Sequence, residues 1–391
     1  MSFAIHPFAE SFSLFSDVSN GSSNWTNSNA TVPRPLANQM VVKEPLASTV
    51  FKVLALAIVI ILSLVGNFLT ISSVYQNINR RMRTLSNYLI VNLSVADLLV
   101  TVCNIPRIIS ILLVGYEWLI RGKFALFLCK VTSAVPFVAL LVSTLSFTFI
   151  ALDRFLAVFY PLRRPMTKKI MVGIIAFTWI LSCCCYALVF HYATLVEING
   201  KTYCANLIVR DLLKSQENFR TYLICDFILV TGIPIATTTI LYIVIGVKMC
   251  TRVTPGNQTA ANAARNRTVN RKVISMLVAV LIAFCICWMP TWVALACLNV
   301  PPPRMCHNDD FAYIRYFLSY SNSAVTPYIY PVFNQSFREG YLHALRQIAS
   351  CCCFRKICQR CGNNQVLPLE ERTTATTASR TNRTRFDTTE L

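Results

Sequence analysis

Seven separate stretches of this chain are predominantly apolar over a bilayer's thickness, and no other feature limits the fold as strongly. They run Thr49–Gln76, Leu85–Val114, Ala125–Phe159, Ile170–Phe190, Phe219–Met249, Val269–Leu298 and Phe311–Phe333. Crossing the hydrocarbon core takes roughly 20 apolar residues in a helix. Val53–Asn79, Val131–Leu152, Ile170–Val196 and Val273–Pro303 carry no charged residue at all. Lipid gives a backbone group no water to bond, so each stretch must be a helix or part of a closed barrel. The runs are too long and too continuous for strands, whose faces alternate at every second residue. Composition agrees: 55% of residues are hydrophobic and 14% charged, against roughly 45–50% and about 25% in soluble domains. The expectation is an all-α membrane protein, a bundle of seven transmembrane helices over residues 49–333.

The net charge of +19 raises nucleic acid as a partner, but its distribution argues against one. Lys and Arg cluster in short loops between the apolar runs: Arg80, Arg81 and Arg83, then Arg163, Arg164, Lys168 and Lys169, then the segment Lys248–Lys272 with Arg252, Arg265, Arg267 and Arg271. The alternate loops mix in Glu117, Glu197, Asp211, Glu217, Asp309 and Asp310. Positive loops stay cytoplasmic, which places the N-terminus outside and the C-terminus inside a plasma-membrane protein. Residues 1–48 then form an extracellular segment without a signal peptide, the first helix serving as the targeting signal. Asn20, Asn24 and Asn29 are glycosylation acceptors on that side. The same pattern at Asn92, Asn257, Asn266, Asn334 and Asn382 falls where topology forbids the modification.

Beyond the last span, Phe337, Tyr341, Leu342, Leu345 and Ile348 recur at helical spacing. They predict a short amphipathic helix lying on the inner leaflet over residues 334–353, pinned by palmitoylation of Cys351, Cys352 and Cys353. With Cys358 and Cys361 nearby, a metal cluster is the competing reading. Residues 354–391, Thr-rich from Thr373 to Thr389, predict a disordered cytoplasmic tail. The outer loop His191–Phe219 holds Thr194–Ile198 and Thr202–Leu207 around Asn199-Gly200, a strong hairpin signal, and so predicts a β-hairpin lid. No nucleophile–base pair, metal cluster or phosphate loop marks the chain as an enzyme. Asp97 is an acid at mid-membrane depth, a functional position by default or else a structural hydrogen-bonding one.

Short motifs fall at matching depths in consecutive helices: Gly66-Asn67, Leu93-Ser-Val-Ala-Asp97, Cys129, Asp153-Arg154-Phe155, Trp179, Pro234, Phe284-x-x-Cys287-Trp288-x-Pro290 and Thr326-Pro327-x-x-Tyr330. In this order they resemble a rhodopsin-like (class A) G-protein-coupled receptor over about Thr49 to Cys353. Two positions depart from the pattern. Thr326 stands where the motif usually begins with Asn or Asp, and Phe155 where Tyr is usual.

The resemblance implies a disulfide between Cys129 and Cys204, with Cys297 and Cys306, across Pro301-Pro302-Pro303, as a second candidate bridge. It implies a sodium cage of Asp97, Ser143, Asn322 and Ser323 with Asn67 and Trp288 beside it, sodium acting as an allosteric ion rather than a cofactor. Signal transfer falls to Asp153, Arg154, Tyr242, Phe284, Trp288, Pro290, Pro327 and Tyr330, while Leu162 becomes an apolar knob for the G protein or a membrane-facing side chain. Arg154 is held by Asp153 or simply snorkels to the interface. Asn270, where many relatives carry an acid, makes a second lock on Arg154 unfavoured.

Amine and retinal ligands are disfavoured, since Pro136 replaces the amine-binding Asp and Tyr320 the retinal-binding Lys. What remains is Arg107, Pro136, Asp226, Arg315, Trp288, Trp292, Leu295, Tyr313, Tyr316 and Tyr320, a mixed-charge aromatic set suited to an extracellular peptide. Asp226 and Arg107 satisfying each other is the plainer alternative. Cys129-Lys130, Trp118 and Phe333-Asn334-x-x-Phe337-Arg338-x-Gly340 resemble receptors of the tachykinin, neuropeptide FF, neuropeptide Y and galanin groups. The implied partners are a neuropeptide, a heterotrimeric G protein and arrestin, with Thr389 and Leu391 offering a C-terminal PDZ ligand. A lipid or small-molecule receptor of the same fold, and then a transporter or channel, are the rivals.

Overall fold

The computed structural model describes residues 45–77, 82–160, 167–198, 200–251, 260–297 and 309–362; side chains of 260–270 and 351–362, and a few others, lie outside the description. Asn20, Asn24, Asn29, Leu162, Asn199, Cys306, Thr389 and Leu391 therefore lie outside the described residues, as do the side chains of Asn270 and Cys351–Cys353.

Seven helical spans form the bundle. The first is Leu46–Gln76. It ends where Asn77 turns left-handed at φ 45°, a conformation Asn tolerates through its short polar side chain. The second is not the single run expected: Leu85–Cys103 stops at Asn104 and Ile105–Val114 resumes, with Pro106 in the new first turn. Proline lacks the N–H that would continue the ladder, so the break sits where hydrophobicity gives no warning. The third span is Gly122–Phe159 and keeps Pro136 inside it. The fourth is Lys168–Cys185, followed past Tyr186 by Ala187–Tyr192. The fifth runs Gln216–Asp226, a π-helical stretch Phe227–Gly232, then Ile233–Thr251. The sixth is Ala260–Ala296, beginning about two and a half turns before its apolar run, and the seventh is Asp309–Phe333.

The first span packs on the second and seventh, the sixth on the seventh, and the third contacts the second, fourth and fifth, which makes it the central strut. Outward faces carry Phe51, Ile61, Phe68, Ile243, Ile286 and Val332, all exposed, as lipid-facing surface demands.

Inside, polar side chains cross-link the helices. Trp179 Nε1 donates to Asn92 Oδ1 at 2.7 Å, and Asn92 Nδ2 donates to Ser146 Oγ at 3.1 Å and Thr178 Oγ1 at 3.4 Å, tying the second, third and fourth spans. Asn67 Nδ2 donates to Ser323 O at 2.9 Å, and Ser63 shares a 2.6 Å hydrogen bond with Thr101. Thr291 and Ser319 join the sixth and seventh spans at 2.8 Å.

The amphipathic helix is present as Gln335–Gly362, longer than expected. Phe337, Tyr341 and Ala344 enter the core of the bundle, while Leu342 and Leu345 stay exposed. Tyr341 Oη donates to Pro327 O at 2.8 Å and shares a 2.6 Å bond with Thr70, locking this helix to the first and seventh spans.

Candidate functional site

One end of the bundle carries the hairpin. Strands β1 (Ala193–Ile198) and β2 (Lys201–Asn206) pair antiparallel with Ile198 opposite Lys201; β1 starts one residue earlier than expected and β2 lies one residue earlier at both ends. The two-residue turn needs positive φ, which Gly200 supplies at 74°. Cys129 and Cys204 are bonded, with Cα atoms 5.6 Å apart, so the sheet is fastened to the start of the third span. The loop after the second span adds a third edge: Trp118 N donates to Thr202 O at 2.7 Å and Glu117 pairs with Lys201 at 3.0 Å. That carboxylate holds the Lys201 ammonium's pKa above its ordinary value. Cys297 is also disulfide-bonded.

The expected ligand residues do not form one wall. Arg107 turns toward the loop, its guanidinium 4.6 Å over the Trp118 ring and donating to Tyr116 O at 3.3 Å. Asp226, at the start of the π-helical stretch, accepts from Tyr186 Oη at 2.8 Å instead. Tyr313 and Tyr316 pack with the first and second spans, and Tyr313 Oη donates to Lys52 O at 3.0 Å beside the Lys52–Asp310 ion pair at 2.8 Å. Trp292 meets Phe227 at 6.0 Å between ring centres, and Leu295 packs near Phe219 and Leu223. Tyr186 was not among the expected site residues; only its position in an otherwise apolar run marked it.

Deeper in the bundle, two expected sets converge on one cavity. Asp97, Ser143, Asn322 and Ser323, the sodium set, line it together with Pro136, Trp288 and Tyr320 from the ligand set. Its volume is about 30 Å³, above the roughly 10–15 Å³ that a single water requires. Asp97 Oδ2 and Asn322 Oδ1 are buried there without a hydrogen-bond partner among the described residues, as are Ser94 Oγ and Thr326 Oγ1 in the same two helices and Asn67 Oδ1 in the first span. Buried acceptors of this kind are normally satisfied. A small hard cation, which takes oxygen ligands, fits both the size and the donor set.

An aromatic column descends from this cavity. Trp288 stacks on Phe284 at 5.8 Å, and Phe284 meets Phe147 edge-on at 5.3 Å, in the large core that also holds Tyr242, Met276 and Tyr330. Tyr330 is buried against Phe337, 5.3 Å between centres. At the end opposite the hairpin, Arg154 Nε donates to Asp153 Oδ2 at 3.1 Å and its Nη2 donates to the same oxygen. That oxygen also accepts from Ser86 Oγ, so the pair is anchored to the second span. Ser86 was not expected, though its place in the first turn of that helix puts it level with Asp153.

Seven spans around a polar cavity, with an arginine–acid pair at one end and a disulfide-tied hairpin at the other, define a transmembrane receptor. The chain belongs to the 7 transmembrane receptor (rhodopsin family), whose profile it matches over residues 66–330. It is similar to the RYamide receptor of Drosophila melanogaster, 28% identical over 348 residues, which covers 85% of this chain and 73% of that receptor. To the human Substance-K receptor it is 27% identical over 300 residues, 75% of this chain and 71% of the relative. To human Neuropeptide FF receptor 1 it is 27% identical over 340 residues, 83% and 77% respectively.

Proposed function

We propose that this protein is a receptor for an extracellular neuropeptide that activates a heterotrimeric G protein. The reading is supported most by the column Trp288–Phe284–Phe147, which links the cavity below the hairpin to the core around Tyr330. A peptide entering from the hairpin side presses on Trp288. If it binds better to a second packing of the column, it shifts the population toward that packing. The sixth span then swings outward about Pro290, Asp153 releases Arg154, and Tyr242 and Tyr330 pack beside it. The kinship with receptors named for neuropeptides supports the ligand class.

The hairpin and residues 1–48 face outside, with Asn20, Asn24 and Asn29 glycosylated, and the Arg154 end faces the cytoplasm. Asp97, Ser143, Asn322 and Ser323 hold Na⁺ in the resting packing, which the ion stabilises by charge neutralisation. Leu162 enters the G protein, Cys351–Cys353 carry palmitate, and the tail serves arrestin and, through Thr389 and Leu391, a PDZ domain. The test is GDP release from a panel of purified Gα subunits by receptor in lipid nanodiscs, screened with a neuropeptide library. Acceleration by at least one peptide is expected; none, for any Gα, overturns the reading.

A further inference from the structure

Among the described residues, the bulkiest fully buried side chain is a cation. Arg315 is 2% exposed, and its Nε and Nη2 have no hydrogen-bond partner among the described residues. The ion pairs Lys52–Asp310, Arg154–Asp153 and Lys201–Glu117 leave it out. Its guanidinium lies over the Tyr316 ring, with Cζ 4.4 Å from the ring centre. A guanidinium has five N–H donors and keeps its charge. A cation–π contact returns part of the lost hydration but satisfies no N–H. An unmatched buried charge is among the least stable arrangements a fold can carry, unless something outside the chain completes it.

Its position tells where the complement comes from. Arg315, Ser319 and Asn322 lie at spacings of four and three along the seventh span, one stripe of a helix. Ser319 bonds Thr291 of the sixth span, and both Ser319 and Asn322 line the central cavity. Arg315 thus stands one turn above the cavity wall, on the hairpin side, facing the seam between the sixth and seventh spans. Among the described residues, Asp226, an acid of the fifth span in the same half of the bundle, is engaged by Tyr186, and Asp310 by Lys52.

We propose that Arg315 is the recognition site for a carboxylate of the ligand, a proposal that rests on the peptide-receptor reading above. The planar fork matches two carboxylate oxygens, and the Tyr316 ring fixes the plane of the fork. The carboxylate belongs either to the peptide's C-terminus or to an Asp or Glu side chain.

Two arms test this. In the first, melting of the purified receptor in detergent is followed with millimolar N-acetyl-phenylalanine or its uncharged amide, for the wild type, Arg315→Gln and Arg315→Met. The acid is expected to raise the wild-type melting temperature above the value with the amide, and both variants to lose that difference. Ligand-free Arg315→Met should melt no lower than wild type, because an apolar side chain replaces an unmatched charge. Equal effects of acid and amide on the wild type, an acid preference that survives in Arg315→Gln, or a ligand-free Arg315→Met that melts several degrees lower each overturn the proposal. In the second arm, peptides synthesised as C-terminal acid or amide, and with Glu or Gln inside, are read by nucleotide exchange. The active form should lose about 30-fold or more in potency with Arg315→Gln, and the change that removes the responsible carboxylate should make that loss disappear. Activation with unchanged potency in Arg315→Gln sinks the Arg315 site and leaves the receptor reading standing. Fragment selectivity without activation by any peptide does the reverse.

Discussion

Replacing Gly66 by alanine should destabilise the receptor, although the same change at Gly173 should not. A Cβ at Gly66 would lie 2.6 Å from Pro327 Cγ and 3.0 Å from Pro327 Cβ and Tyr328 Cε2. Ordinary contact begins near 3.4 Å, so the first and seventh spans must part by about 0.8 Å. Neither neighbour can give way alone, since one is a ring closed on the backbone and the other an aromatic ring whose Oη donates to Leu62 O at 3.0 Å. Separation also stretches the Asn67–Ser323 bond of 2.9 Å. Overpacking costs about 1–3 kcal/mol, and losing a buried hydrogen bond adds roughly 1 kcal/mol. Alanine returns about 1 kcal/mol in helix propensity. The net loss is about 1–3 kcal/mol. At Gly173, nothing lies within 4 Å of an added Cβ, so the propensity gain stands alone and the sign reverses. Thermal unfolding of both purified variants in one detergent decides the matter. Gly66→Ala should melt a few degrees below wild type and Gly173→Ala at or above it. A Gly66→Ala protein as stable as Gly173→Ala would refute the close packing of the first span on Pro327.

Three further outcomes are expected. Asp153→Asn removes the charge that holds Arg154 in a partly buried pair, a change of about 1–2 kcal/mol between surface and buried limits. Ligand-free nucleotide exchange should rise about fivefold or more, and unchanged basal exchange refutes the restraint. Trp288→Ala should lower maximal exchange more than it lowers peptide affinity, because Trp288 sits at the head of the column; the opposite split removes it from the relay. Sodium should weaken agonist binding in the wild type by linkage and leave Asp97→Asn indifferent; binding insensitive to sodium in both proteins defeats the cage.

The seven spans were legible because lipid immersion writes itself into composition, and the hairpin because Asn199-Gly200 separates two β-prone segments. What escaped the sequence was local departure from the regular ladder. The break at Asn104 and the π-helical stretch Phe227–Gly232 are decided by which carbonyl an amide reaches, and hydropathy does not sense that choice. Polar pairings escaped for a related reason. Asn92 and Tyr186 are polar residues within apolar runs and Ser86 is one of several in a helix's first turn, and their worth depends on Trp179, Asp226 and Asp153 arriving opposite them. Arg107 and Asp226 were legible as charges, yet each found a nearer partner than the other.

The seventh span shows how the function and the weakness of its own hydrophobic signal share one cause. Among the described helices, five are long and apolar enough by composition to cross a membrane, and the seventh is not one of them. Part of its deficit comes from Arg315, Ser319, Ser321, Asn322, Ser323 and Thr326. Of these, Ser319, Asn322 and Ser323 line the cavity, and Arg315, Asn322 and Thr326 keep polar atoms unpartnered. A helix selected only to sit in lipid would carry none of them, because each buried polar atom left unmatched costs about 1–3 kcal/mol. The polarity is tolerated because it faces inward, where contacts with the first, second and sixth spans enclose it. It is useful because a bundle with unmatched groups along one seam gains stability from whatever small ion or ligand group supplies the missing contacts. On the proposals above, a cation near Asn322 and a carboxylate near Arg315 would match different stretches of the same seam and favour different packings of the sixth span against the seventh. Filling the seam with apolar residues should therefore yield a more stable protein that responds to neither.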